Sequence, residues 1–136
     1  MQSLMNQGNY QAVINFAGQY AELGFHRDLA YYYLARATAA QGDIQSAYEQ
    51  LNELLQVQPL WIGGWEMLGE WSGQAADLST HRVAMAKWHL LRGELKQAEQ
   101  QALLGTQLST TNDVQLQQLA EILASIEALT KTAANL

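Results

Sequence analysis

The chain contains three closely similar phrases, and their spacing limits the folds that it can adopt. They are QGNYQAVINF, QGDIQSAYEQ and RGELKQAEQQ, and their glycines are Gly8, Gly42 and Gly93. The interval from Gly42 to Gly93 is one and a half times the interval from Gly8 to Gly42. The shorter interval, which we call one period, is typical of a repeat protein in which each repeat is one supersecondary unit.

The composition favours an all-α fold and excludes several classes of function. Ala, Leu and Gln dominate, there is one proline, and 49% of the residues are apolar, so we expect packed helices. With a net charge of −6 and seven Lys and Arg in total, the chain has no basic patch for nucleic acid. No apolar run approaches the roughly 18 residues that a membrane helix needs. The first ten residues do not have the pattern of a signal peptide.

Residues 28–61 have the pattern of one complete two-helix repeat. Each helix has an apolar face with helical spacing, and these two faces can pack against each other. Gly42 ends the first helix, Asp43 can cap the second, and Pro59 ends it. The two predicted faces consist of Tyr31, Leu34 and Ala35, and of Ile44, Ala47, Leu51 and Leu54.

The other segments follow the same repeat with one irregularity. The glycine expected at position 76 is Ala76, and Gly73 comes three residues early, so the repeat is predicted to slip there. Because half a period equals one helix and a turn, we expect a helix over about 76–91 to belong to two successive repeats. The predicted organisation is a single domain over 1–136 with about seven helices. It comprises a half repeat over 1–27, the full repeat over 28–61, repeats that share a helix over 62–108, and a polar capping helix over 112–131.

The complete repeat resembles the tetratricopeptide repeat, in which a W-x-x-L-G helix is followed by G-x-x-x-x-A and a closing proline. The phrase WEMLG, with Trp65 placed one full period after Tyr31, is a second such opening. The resemblance implies a right-handed α-solenoid of antiparallel helix pairs that binds a protein or peptide segment on its inner curve. Carried over by position, the implied groove residues are Tyr32, Tyr33, Arg36, Glu66 and Glu70. The alternative for Tyr32 and Tyr33 is packing against the neighbouring repeat.

The stretch HRVAMAKWHLLRGELKQAEQQ resembles a narrower group. It is similar to the C-terminal repeat region of bacterial periplasmic zinc metalloproteases that assist outer-membrane barrel assembly. This resemblance implies the non-catalytic, periplasmic repeat domain of a larger envelope protein. A complete stand-alone adaptor or scaffold, located in the cytoplasm, explains the same residues. A helical domain that binds a small molecule is a weaker alternative, because no buried polar cluster that could orient a ligand is visible in the sequence.

The N-terminal segment has the pattern of a second helix without its first helix. Either Leu4 and Met5 fold back to cover its apolar face, or the chain is part of a longer protein, which we favour because terminal repeats normally carry caps. If the half repeat is left uncovered, its apolar face could also bring two copies together as a dimer.

No set of residues has a catalytic pattern, so we expect that this chain is not an enzyme. It lacks H-E-x-x-H, G-x-S-x-G and G-x-G-x-x-G motifs. The histidines are His26, His81 and His89, and a zinc site at the last two would have only Asp77 as a further obvious ligand. We therefore expect no metal and no cofactor.

Overall fold

The computed structural model of the chain describes residues 1–23 and 27–135, and the fold of these residues is all-α. They form eight helices and no strand. The helices are α1 (Gln2–Asn6), α2 (Tyr10–Leu23), α3 (Arg27–Ala40), α4 (Ile44–Val57), α5 (Ile62–Gln74), α6 (Leu78–Leu91), α7 (Leu95–Gln107) and α8 (Asp113–Ala134). None of these helices is long and apolar enough to cross a membrane.

The sequence predicts about seven helices, and the additional one in the described residues is α1. With five residues, α1 is shorter than two helical turns. A segment this short does not contain enough positions to show an apolar period. The contact of α1 with α2 agrees with the alternative in which the first residues fold back onto the half repeat, although the sequence pattern favours a longer protein.

Four three-residue connections share one backbone geometry. Their middle residues are Gly8, Gly42, Ala76 and Gly93, all of which have a positive φ. In each connection the middle amide donates to the carbonyl three residues earlier, and the next amide donates to the carbonyl five residues earlier. This pair of hydrogen bonds is the Schellman motif that ends many helices.

Ala76 therefore takes the place of the expected glycine, and the prediction that the repeat slips at this position is wrong. Its φ is 58°, in the left-handed region that the three glycines also occupy. The intervals from Gly8 to Gly42 and from Gly42 to Ala76 are each one period, and the interval from Ala76 to Gly93 is half a period. The repeat is regular through the second period and then advances by a single helix, α6.

The chain divides into two compact units, Met1–Trp61 and Ile62–Leu136. In the first unit α3 packs against both α2 and α4. Small side chains let α3 approach two neighbours, since Ala30, Ala35 and Ala37 are all buried. On α4 the predicted stripe is buried at Ala47, Leu51 and Leu54. The first unit ends where the predicted full repeat ends, although the repeat boundaries stay a prediction.

In the second unit α6 packs against α5, α7 and α8. The core between α6, α7 and α8 consists of Val83, Ala86, Ala98, Ala102, Leu119, Ile122 and Ile126. On α5, Trp65 and Leu68 of the WEMLG opening are buried. The Asn112 side chain accepts a hydrogen bond from the Gln115 amide, and the Gln115 side chain accepts one from the Asn112 amide, which forms a capping box at the start of α8.

Candidate functional site

One face of α3 is left partly open to solvent because the helix buries its other sides against α2 and α4. Tyr32, Tyr33 and Arg36 lie on this open face and are half-buried. Leu29, one turn before Tyr33, is 46% exposed. The two packed sides therefore determine which α3 side chains another molecule can reach.

Tyr32 and Arg36 are four residues apart and so lie above one another on the helix. Arg36 Nη1 donates a hydrogen bond to Tyr32 Oη over 3.1 Å. The guanidinium carbon lies 5.3 Å from the centre of the Tyr32 ring, within the range of a cation–π interaction. These two contacts hold the arginine against the ring and limit its freedom to move.

The Tyr32 ring also makes two edge-to-face contacts within the first unit. Its centre lies 5.2 Å from that of Tyr33, with 74° between the planes. It lies 5.5 Å from that of Trp61, with 68° between the planes. Such aromatic pairs add roughly 0.5–1.5 kcal/mol beyond area burial. We call Tyr32, Tyr33, Arg36 and Trp61 the α3 surface.

A side chain from α1 completes this arrangement. Gln2 Oε1 accepts one hydrogen bond from Tyr33 Oη over 3.1 Å and a second from Arg36 Nη1 over 3.3 Å. Two donors of the α3 surface therefore converge on a single carbonyl oxygen. Trp61 and Gln2 belong to the site although the sequence reasoning missed them. Neither residue lies on α3, so the helical spacing of the α3 residues could not indicate these contacts.

An apolar pocket of about 410 Å³ lies beside the α3 surface, in the first unit. Its wall includes Phe16 and Tyr20 from α2, which are 50% and 45% exposed. The complete lining consists of Met1, Leu4, Phe16, Tyr20, Leu29 and Ala30. The half repeat thus keeps an apolar face that α1 covers only in part, while dimer formation through this face stays a prediction.

Glu66 and Glu70, the other two predicted groove residues, belong to the second unit. Both are exposed and lie one turn apart on α5. The structure therefore brings together Tyr32, Tyr33 and Arg36 in the first unit. The two glutamates form a separate acidic pair, and their role in binding stays a prediction.

The histidines of the second unit bond to neighbouring protein groups. His81 Nδ1 donates to the Gly69 carbonyl over 2.6 Å, and His89 Nδ1 lies 3.0 Å from Glu94 Oε1. Asp77 caps α6 by accepting from the Thr80 amide. His26 lies outside the described residues. Among the residues that the structure describes, no group of three or more His, Cys, Asp or Glu side chains could hold a metal ion.

Comparison with known proteins does not assign a family. No protein-family model matches the sequence, and no curated protein matches it. The resemblances to tetratricopeptide repeats and to the metalloprotease repeat region therefore stay predictions.

Proposed function

We propose that this chain is a protein-interaction module that binds a segment of a partner protein on the α3 surface. The observation that carries the proposal is the half-exposed cluster of two tyrosines, a tryptophan and an arginine, held together by ring and hydrogen-bond contacts. Tyr, Trp and Arg are the residue types that most often dominate the energy of protein interfaces. Because the cluster is already ordered, a partner loses less free energy to side-chain ordering when it binds.

Selection from a library of short displayed peptides, followed by fluorescence anisotropy with a selected peptide, tests this proposal. We expect the variant Tyr32→Ala/Arg36→Ala to bind at least about tenfold more weakly, since the loss of interface hot spots costs more than about 1.4 kcal/mol. Its helicity should stay close to that of the wild type, whereas its melting temperature should fall by several degrees, because Tyr32 loses two aromatic contacts worth roughly 0.5–1.5 kcal/mol each. Unchanged binding would show that the α3 surface is not the binding site, and loss of the fold would show that Tyr32 and Arg36 are part of the core.

The second unit offers a matched control for this experiment. The Arg92 guanidinium carbon lies 4.3 Å from the centre of the Trp88 ring, so Arg36 and Arg92 share the same cation–π arrangement. The variant Arg92→Ala also removes one positive charge. We expect it to bind the selected peptide like the wild type, which would separate a local effect on the α3 surface from a general effect of charge.

The fold that we propose for this function is a tetratricopeptide-like α-solenoid. The equivalent turns at Gly8, Gly42 and Ala76 support it because they are evenly spaced. Their spacing matches the period of that repeat, which is about 34 residues. Small-angle X-ray scattering tests the arrangement. An elongated, curved particle would agree with a solenoid, whereas a spherical particle would contradict it.

We propose further that the module is the non-catalytic C-terminal repeat domain of a larger bacterial envelope protein, such as a periplasmic zinc metalloprotease. The support is the sequence resemblance alone. An immunoblot of fractionated source cells with an antibody against the chain tests it. A band well above 15.1 kDa in the periplasm or envelope is the expected result. A 15.1 kDa cytoplasmic band would instead favour the stand-alone adaptor.

A further inference from the structure

The short helix α1 contacts the α3 surface through Gln2 and lines the apolar pocket through Leu4. Gln2 supplies a carbonyl oxygen to Tyr33 and Arg36. Leu4, two residues later, lines the apolar pocket together with Phe16 and Tyr20. Gln2 and Leu4 are two residues apart on α1 and so lie on different sides of the helix, which places one at the α3 surface and the other in the wall of the pocket.

Besides Gln2 and Leu4, the half-buried side chains of Met5 and of the N-cap residue Met1 keep α1 in place. It has five residues, and none of them is buried. Isolated helices shorter than roughly 12–15 residues are marginal in water, so α1 depends on its contacts with the rest of the first unit. Leaving the surface would expose no core residue of α1, and the buried side chains of α2, α3 and α4 would keep their contacts with one another.

We propose that α1 is a self-ligand of the α3 surface, which a partner segment of the same chemistry must displace. This inference rests on the proposed function and specifies its ligand. The ligand is a helical segment with a carboxamide or carboxylate at the position of Gln2 and an aliphatic side chain two residues later. Tyr33 and Arg36 bind its oxygen, and its apolar side chain takes the place of Leu4 in the wall of the pocket that Phe16 and Tyr20 also line.

A carboxylate fits this site better than a carboxamide does. Arg36 is positively charged, and a carboxylate adds a Coulomb attraction that the neutral carboxamide lacks, worth roughly 1.4- to 5-fold in affinity (about 0.2–1 kcal/mol) for an exposed pair. Two donors already converge on the oxygen of Gln2, so a glutamate oxygen would find the same partners. A free peptide with glutamate at this position therefore binds more tightly than the same peptide with glutamine. This difference in affinity decreases as salt screens the charges.

Competition by α1 gives the proposal a measurable signature. A segment tethered by a short linker has an effective concentration in the millimolar range, so α1 outcompetes a free peptide of its own sequence. The variant Gln2→Ala/Leu4→Ala removes both anchors in the full chain and leaves the α3 surface open. Ser3→Ala, a change at an exposed residue of the same helix, is the control that leaves both anchors in place.

The probe is a fluorescent synthetic peptide, MQSLMNQGN, followed by anisotropy. We expect the Gln2→Ala/Leu4→Ala variant to bind it at least about tenfold more tightly than the wild type or Ser3→Ala does. A probe with Gln2→Glu should bind several-fold more tightly again. Adding Tyr33→Phe and Arg36→Ala to the open variant should abolish the gain. If the double change alters the melting temperature, Gln2→Ala alone should still change the affinity in the same direction.

Equal affinity for the wild type and the open variant would overturn the proposal. Binding by the open variant that persists without Tyr33 and Arg36 would also overturn it. A library-selected peptide separates this failure from a failure of the proposed function. If that peptide binds through Tyr32 and Arg36 while MQSLMNQGN does not bind the open variant, the inference about α1 is wrong and the proposed function stands. If neither binds, both are wrong.

Discussion

Replacing Ala76 by glycine should stabilise the second unit. Ala76 has a φ of 58°, and a left-handed backbone costs an L-residue roughly 1–2 kcal/mol. Its side chain is exposed, so the substitution removes no packing contact. Glycine has more freedom in the unfolded chain, which offsets about 0.5–1 kcal/mol of the gain. The expected net increase in the free energy of unfolding is roughly 0.5–1 kcal/mol, or ~2–8 °C in Tm for a unit of this size.

Gly93→Ala is the matched reverse experiment in the same unit. Gly93 has a φ of 77°, and a Cβ at this position would meet no atom within 4 Å. The substitution therefore adds backbone strain without a steric clash, and we expect it to lower stability by roughly 0.5–1 kcal/mol. The two sites lie at opposite ends of α6, about 20–25 Å apart at roughly 1.5 Å per residue. At that distance their effects should add, and the double variant should unfold like the wild type.

Urea denaturation followed by tryptophan fluorescence measures these changes. Trp65, Trp71 and Trp88 lie in the second unit, and only Trp61 of the four tryptophans lies in the first. The signal is therefore dominated by the unit that carries the substitutions. If Ala76→Gly leaves stability unchanged or lowers it, Ala76 is not strained and does not replace the turn glycine of the repeat.

Three further predictions, two of them with a matched control substitution, test the packing and the helix cap. Gly105→Ala should lower the stability of the second unit by about 1 kcal/mol, because the new Cβ would lie 2.9 Å from Leu119 Cδ1 and 3.1 Å from Arg82 Cβ. Gly18→Ala, in open space on α2, should instead raise the stability of the first unit by up to ~1 kcal/mol. If urea denaturation shows that Gly105→Ala raises stability by as much as Gly18→Ala does, the close contact at Gly105 is wrong. Ala47→Leu should cost roughly 1–3 kcal/mol, since Ala47 is fully buried, and an unchanged Tm would contradict tight packing of α4. Asn112→Ala should cost about 1 kcal/mol and speed hydrogen exchange in the first turn of α8, whereas Asn112→Asp should keep the cap.

The sequence predicts most of the secondary structure of the described residues because several helix ends have a local cause. Gly42 and Asp43 end one helix and start the next in the way that the phrase predicts. Position 76 is the exception, since the prediction assumed that a left-handed turn requires glycine. The structure places alanine there at a cost of roughly 1–2 kcal/mol. A pattern search that demands glycine cannot anticipate such a substitution.

The α3 surface could be predicted only in part, for a similar reason. Tyr32 and Arg36 are on one side of a helix because of their spacing, and this information is local. Their contacts with Trp61 and Gln2 join residues that are distant in the sequence and depend on how the helices pack. Tyr32 packs on Trp61, which belongs to the same predicted repeat, and it stays half-buried on the open face of α3. Binding in a groove and packing against a neighbouring repeat therefore both stay predictions.

The most direct test of the central claim is to map a library-selected peptide onto the chain by NMR. In a titration of ¹⁵N-labelled protein, the account predicts the largest chemical-shift changes at the amides of Tyr32, Tyr33 and Arg36, at the indole of Trp61 and along α1. Changes confined to the second unit, with α3 unaffected, would contradict it.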